Sequence, residues 1–185
     1  MVLQMNLLAA ALLILCLSGC SNEVKPRLDN VAAMEIASPA FPEGQPIPDK
    51  YTGHGNDVSP PLQWSGAPPQ TKSFALICDD PDAPMGTFTH WVIYNLPATN
   101  TAVSENIPKT ETLPDGSQQG KNSFDNVGYN GPAPPPGKPH HYYFTLYALD
   151  TMLNLAPGSN KDDLLHAMDK HVLAVGELIG TYQSQ

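Results

Sequence analysis

Two stretches far apart in the chain gather the side chains best suited to hold a small charged ligand. The first is Asp79-Asp80-Pro81-Asp82-Ala83-Pro84, with Thr89-His90-Trp91 close behind it. The second runs from Gly128-Tyr129-Asn130-Gly131-Pro132 through Pro135-Pro136-Gly137 to His140-His141-Tyr142. Each sets a stiff Pro/Gly loop against imidazoles at the edge of an apolar run, which suits a polar pocket at the rim of a packed sheet. Asp80 follows one predicted strand and His90 opens the next, placing a carboxylate near an imidazole. A bond from one ring nitrogen to the carboxylate leaves the other aimed at a ligand. The negative charge also favours the imidazolium, which attracts phosphate. His140 and Tyr142 lie two apart and share one strand face, while His141 points away. Imidazole and phenol then offer two donors to one oxyanion. Gly131, where the backbone can approach closely, can add an N–H, and Asp80 offers an acceptor to an ammonium group.

The same residues admit plainer roles. Asp80 and Asp82 can cap turns through local Asx bonds, and Tyr142 can serve as a structural tyrosine corner beside an incidental His140. His90, His140 and Asp80 have the chemistry to hold a metal, but Asp–His orientation accounts for them without an ion, so neither metal nor cofactor is expected. Hydrolysis needs a nucleophile. Ser59, Ser65 and Ser123 lie in loops without a Gly-x-Ser-x-Gly elbow, and Cys78 sits in an apolar run as a buried small hydrophobe. A binding role is therefore expected rather than an enzymatic one. Two alternatives stand beside it: a small-ester hydrolase using the histidines as acid and base, and an envelope protein-interaction module, such as a protease inhibitor, built on the 97–141 loop.

The elements that must position these groups follow from pattern. Ser73 to Cys78, His90 to Leu96 and Tyr142 to Leu149 are runs of apolar and β-forming residues, and each predicts a strand. An edge strand is expected to open the domain at Met34 and Ile36, with Phe41 following. Residues 42–70 are rich in Pro, Gly and Asp, and Ser59-Pro60-Pro61-Leu62-Gln63-Trp64 delivers Trp64 to the core. Residues 97–141 read mostly as loop, long enough in a compact domain to carry a binding site. One late helix is expected, capped by Ser159 with Asp162 in the capping-box position and Asp163 at its positive end. Leu164, Leu165 and Met168 form its buried stripe. Ala174 to Tyr182 predicts a final strand broken by Gly176 and Gly180. The fold class is mostly β, a sandwich with a late peripheral helix rather than repeated βαβ units.

Leu7 to Leu17 is an apolar run ending in Leu17-Ser18-Gly19-Cys20. It is too short to span a bilayer and has the length of the h-region of a secretory signal, although Met1 to Asn6 carries no Lys or Arg. Leu-Ser-Gly-Cys resembles the lipobox of bacterial lipoproteins, cleaved before a cysteine that is then acylated. The expected organisation is a lipoprotein signal peptide at 1–19, a lipidated tether at 20–33 and a folded domain at 34–185. Cys20 is the lipidation site, and more than one acyl chain, palmitate included, makes such membrane attachment stable. Ser21 after the cysteine resembles the outer-membrane pattern, so the expected location is the bacterial cell envelope, at the outer membrane facing the periplasm. Processing would leave Cys78 as the remaining thiol, with no internal disulfide. The net charge is −9 and Arg27 is the single arginine. Such a surface repels nucleic acid at long range. Any anion site must be local, built from imidazole, hydroxyl and backbone N–H groups.

Several of these motifs, in this order, resemble the phosphatidylethanolamine-binding protein family, and within it the bacterial branch called Raf-kinase-inhibitor-like. They are Ser-Pro-Pro-Leu-x-Trp at 59–64, Asp-Pro-Asp-Ala-Pro at 80–84, His90-Trp91, Gly-Tyr-Asn-Gly-Pro at 128–132, His140-x-Tyr142 and Gly180-Thr181-Tyr182. The resemblance implies a Greek-key β-sandwich with peripheral helices and a cavity for phosphate, phosphorylethanolamine or a phospholipid headgroup. It implies ligand-binding roles for Asp80, His90, Gly131, His140 and Tyr142. It also implies a pocket-edge loop at Pro81 in which a proline peptide can be cis. His141 stands where the family usually has arginine, which puts an arginine-based support pair in doubt.

Overall fold

The structure, a computed structural model, describes residues 31–185. The signal segment, Cys20 and the tether up to residue 30 lie outside the described residues. In chain order the elements are β1 (Ala32–Ala33), β2 (Glu35–Ala37), β3 (Leu62–Ser65), β4 (Ser73–Asp80), β5 (Phe88–Pro97), β6 (Ala102–Val103), β7 (Gln118–Gln119), β8 (His140–Leu149), α1 (Lys161–Met168) and β9 (Val172–Tyr182). They form a six-stranded sheet, β1-β9-β8-β4-β5-β7, and a three-stranded sheet, β2-β3-β6. After the long 98–139 connection β8 returns beside β4, not β5, a crossover of Greek-key type. The ladder is antiparallel except where β1 joins β9 in parallel. That pairing takes Ala32 and Ala33 out of the expected tether and into the folded body.

The central strands read as continuous apolar runs because the large sheet is covered on both faces. Phe74, Leu76 and Cys78 of β4 pack between the sheets with Trp64, Trp91, Phe144 and Leu146. Ala75 and Ile77 point the other way, onto Leu164, Leu165 and Met168 of the helix. Each large side chain buried in this way contributes about 1.5–3 kcal/mol relative to exposure, so the sheet is the fixed frame on which the loops hang. Among the described residues no helix is long and apolar enough to cross a membrane.

Two expectations are corrected here. β9 is not broken at Gly176 and Gly180 but runs on through both. A Cβ at Gly180 would lie 2.5 Å from Ile47 Cγ1, so that glycine lets the 41–47 segment lie flat against the strand. The helix begins one residue later than expected. Asn160 is its cap, accepting from Asp163 N while the Asp163 side chain accepts from Asn160 N. Ser159 is engaged in the preceding turn, its Oγ donating to Ala156 O at 2.9 Å.

One irregularity bears directly on function. Cys78 faces Trp91 across the β4–β5 ladder, but the next residue, Asp79, faces Thr89. β5 therefore carries an extra residue, His90, in a β-bulge. Bulges re-aim side chains at strand ends. Thr89 bonds Asp79 Oδ1 at 2.7 Å, whereas the His90 ring meets the Tyr142 ring at 5.2 Å between centroids.

Candidate functional site

At the end of the large sheet a pocket of about 510 Å³ opens between the 81–87 loop and the 124–135 segments. Asp80, His90, His140 and Tyr142 line it. Asp80, His90 and Tyr142 are buried, and His140 keeps 13% of its side chain exposed. They form the inner end. Phe88, Phe124, Met85 and three prolines, Pro84, Pro134 and Pro135, make the walls and mouth. Gly131 is not on this wall. Its N–H donates to Asp57 Oδ1 at 2.6 Å, so it is committed within the protein.

The carboxylate–imidazole pair is also not the one expected. His140 Nδ1 donates to Asp80 Oδ2 at 2.8 Å, while Asp80 Oδ1 accepts from Asp82 N at 2.9 Å. The Asx turn and the imidazole-orienting role thus coexist in one side chain. His90 instead donates from Nδ1 to the carbonyl of Asn130 at 2.7 Å. A carbonyl and a carboxylate only accept, so both Nδ1 atoms carry hydrogen. Each Nε2 then bears a lone pair when the ring is neutral and an N–H only when it is charged.

Asn130 is held in turn. Asp57, at φ 55°, accepts from Asn130 Nδ2 at 2.9 Å and from Lys109 Nζ at 2.6 Å as well as from Gly131 N. Tyr129 Oη donates to Tyr51 O at 2.7 Å and Gly53 N to Pro132 O at 2.8 Å, strapping the 128–132 segment to the 49–57 loop. This frame fixes the acceptor that sets the His90 tautomer. Sequence reading missed Asp57 because it lies in a Pro/Gly/Asp-rich loop with no spacing relation to either histidine. Asn130 was visible only as part of a loop motif.

Outside the pocket lining, Asp82 Oδ2 accepts from both His141 N and His141 Nδ1, at 2.9 and 2.7 Å. The hydrogen bond from the His141 ring is the main influence holding the Asp82 carboxyl below its usual range. His141 is thus tied to Asp82 through both its backbone and its ring. Every described peptide bond is trans, against the cis proline that the resemblance allowed. Among the described residues no cluster of three or more His, Cys, Asp or Glu is arranged to hold a metal ion.

Two groups of the inner end are electrostatically distinctive. The Tyr142 hydroxyl is buried with no partner at full hydrogen-bond geometry, the Asp80 carboxylate being the acceptor nearest to acting on it. Burial first, then the Asp80 charge, pushes its pKa well above the ordinary value, so it remains a protonated donor. Burial lowers the pKa of His90, against the Asn130 bond and the charges of Asp80, Asp79 and Asp57, which raise it. A histidine in the unfolded chain takes up its proton near pH ~6.5, while this ring resists until lower pH. The fold therefore keeps the full contribution above pH ~6.5 and loses stability as pH falls below it. Denaturation midpoints measured from neutral to mildly acidic pH should fall less steeply for His90→Gln than for the natural protein. Parallel curves would contradict this.

A larger cleft of about 630 Å³ lies across the Met85–Thr87 segment and includes Thr89, Ser123, Lys121 and Lys161. It holds no imidazole, and its cations are already paired, Lys121 with Asp125 and Lys161 with Asp79. The chemistry is concentrated in the smaller pocket.

A two-sheet β fold with one late helix and an imidazole-, phenol- and carboxylate-lined pocket at a sheet end defines a class of small binding domains. The phosphatidylethanolamine-binding protein profile matches residues 37–183, and the chain belongs to that family. A UPF0098 protein of Methanothermobacter thermautotrophicus is 52% identical over 150 residues, covering 81% of this chain and 99% of its own. Among solved structures, a phosphatidylethanolamine-binding protein homologue from Chlamydia trachomatis superposes with a TM-score of 0.76 at 40% identity, covering 83% of this chain and 99% of its own. YbcL of E. coli gives 0.75 at 33% identity, covering 83% of this chain and 100% of its own.

Proposed function

We propose that this protein is a lipid-anchored binding protein that captures a phosphate monoester or phospholipid headgroup in the pocket of Asp80, His90, His140 and Tyr142. The observation that carries the reading is the Tyr142 hydroxyl. It is a buried donor with no partner at full hydrogen-bond geometry, held beside two imidazoles whose Nδ1 atoms are already satisfied. An oxyanion would take the hydroxyl hydrogen and one hydrogen from each Nε2. The name of the family, and that of the Chlamydia trachomatis homologue, point to the same ligand class. Asp80 acts as the orienting group for His140. With both its oxygens engaged and the residue buried, it is poorly placed to meet an amine. Acylation at Cys20, residence in the bacterial envelope at the outer membrane, and membership of the Raf-kinase-inhibitor-like branch belong to the same proposal. The segment Leu17-Ser18-Gly19-Cys20 supports the first two, and the motif wording the third.

The donor logic gives a direct test. Near pH ~8 a phosphate monoester, with a second pKa of ~6, is dianionic, and the His90 ring, whose pKa burial lowers, offers a lone pair where a donor is needed. Binding then requires proton uptake, and affinity falls as pH rises. Calorimetry of phosphate binding in two buffers of different ionisation enthalpy should show a buffer-dependent heat corresponding to about one proton or more taken up. Binding without buffer dependence, or no binding to phosphate, phosphorylethanolamine or phosphatidylethanolamine vesicles, would overturn the reading.

A further inference from the structure

The pocket is larger and more apolar than an oxyanion alone requires. Its volume of about 510 Å³ falls among pockets that hold whole organic ligands, ~300–1,000 Å³. Beyond the inner polar groups its wall is mostly carbon, with Thr87 the one further side-chain hydroxyl. Phe88 lies edge-on to Phe124 at 4.7 Å and tilted against His90 at 5.3 Å. Pro84, Pro134 and Pro135 continue the apolar surface outward.

The mouth is apolar by construction. Three large hydrophobic side chains stand exposed among the described residues, and two of them, Met85 and Phe124, are on this pocket. Phe124 is held there by a built turn. The buried Asn122 accepts from Phe124 N at 2.9 Å and from Asn126 N at 3.2 Å through its Oδ1. Its Nδ2 donates to Gly128 O and to Asn130 Oδ1. A ring held in place on a hydrogen-bonded turn, half out in water, gains by covering apolar surface of a ligand. Asp80, the one acidic residue lining this pocket, is buried at its inner end and already accepts a hydrogen bond at each oxygen.

We propose that the pocket selects phosphate monoesters whose ester group is aromatic or compactly apolar, in preference to those bearing an ethanolamine tail, with Phe88, Phe124 and Met85 setting that preference. This rests on the phosphate-binding reading above and gives it a substrate class. The phosphate meets Tyr142, His90 and His140 at the inner end. The ester group lies outward between the phenyl rings and the proline wall, where a primary ammonium would lose water against a mainly apolar surface.

Calorimetric titration of the full chain with inorganic phosphate, phosphorylethanolamine and phenyl phosphate tests it. Phenyl phosphate is expected to bind about tenfold tighter than phosphorylethanolamine, the worth of burying roughly half of one phenyl face. Phe124→Ser, a change at a half-exposed position, should narrow that ratio to within about twofold. Equal or tighter binding of phosphorylethanolamine overturns the inference, as does an unchanged ratio in Phe124→Ser. So does co-sedimentation with phosphatidylethanolamine vesicles without any gain for phenyl phosphate, which would make the rim a membrane contact. If none of the three phosphates binds, the phosphate-binding reading falls and this inference with it. If they bind without the preference, only the inference falls.

Discussion

Tyr142→Phe should stabilise the ligand-free protein while weakening its hold on phosphate. The hydroxyl is buried with no partner at full hydrogen-bond geometry, and such a group costs a fold roughly 1–3 kcal/mol. Phenylalanine keeps the ring, its edge-to-face contact with His90 at 5.2 Å and its place in the inter-sheet core, and removes only the stranded oxygen. A gain of about 1 kcal/mol in unfolding free energy is expected. Phosphate binding should weaken by about tenfold or more, since a hydrogen bond to a charged acceptor contributes ~1.5–3 kcal/mol. Denaturant midpoints and calorimetry on the same two proteins measure both effects. Lower stability with unchanged affinity would make the hydroxyl a structural group and remove the main support for the site.

Gly131→Ala is the second large effect. A Cβ at that position would lie 2.3 Å from Tyr51 O and 2.7 Å from Thr52 Cα. Both are backbone atoms of the loop that holds Asp57, so neither can swing aside. Overpacking against a fixed backbone should cost about 3 kcal/mol. The damage reaches function, because Asn130, the residue before, supplies the carbonyl that sets the His90 tautomer. Unfolding experiments should show the stability loss, and phosphate affinity should fall with it although Gly131 touches no ligand. A variant as stable as the natural protein would contradict this close approach.

Gly131 also shows where sequence reading stopped. Its motif was visible, and so was the need for a glycine. Its N–H was assigned to a ligand because nothing in the chain announces that Asp57 will arrive opposite it. The strands were readable because burial on both faces leaves a continuous apolar signature, as in Phe74 to Cys78. The helix stripe of Leu164, Leu165 and Met168 was readable by its spacing. The bulge at His90 was not, since a one-residue slip in register leaves no mark on composition, yet it turns that ring toward Tyr142. For the same reason Asp80 was paired with its neighbour in sequence, His90, when the fold gives it His140. The exposed Phe124 carried no signal until Asn122 was seen to build its turn. Local chemistry was in the residues, while partnership across the loops had to come from the fold.

The most direct test is an NMR titration of the histidine side chains with inorganic phosphate. The chain has six histidines, and only His90 and His140 line the pocket. Saturable shifts of the Nε2 resonances of those two rings are predicted, with His54, His141, His166 and His171 unmoved and the response weakened in Tyr142→Phe. Phosphate binding that leaves both pocket rings unshifted, or that moves all six in parallel, would contradict the account.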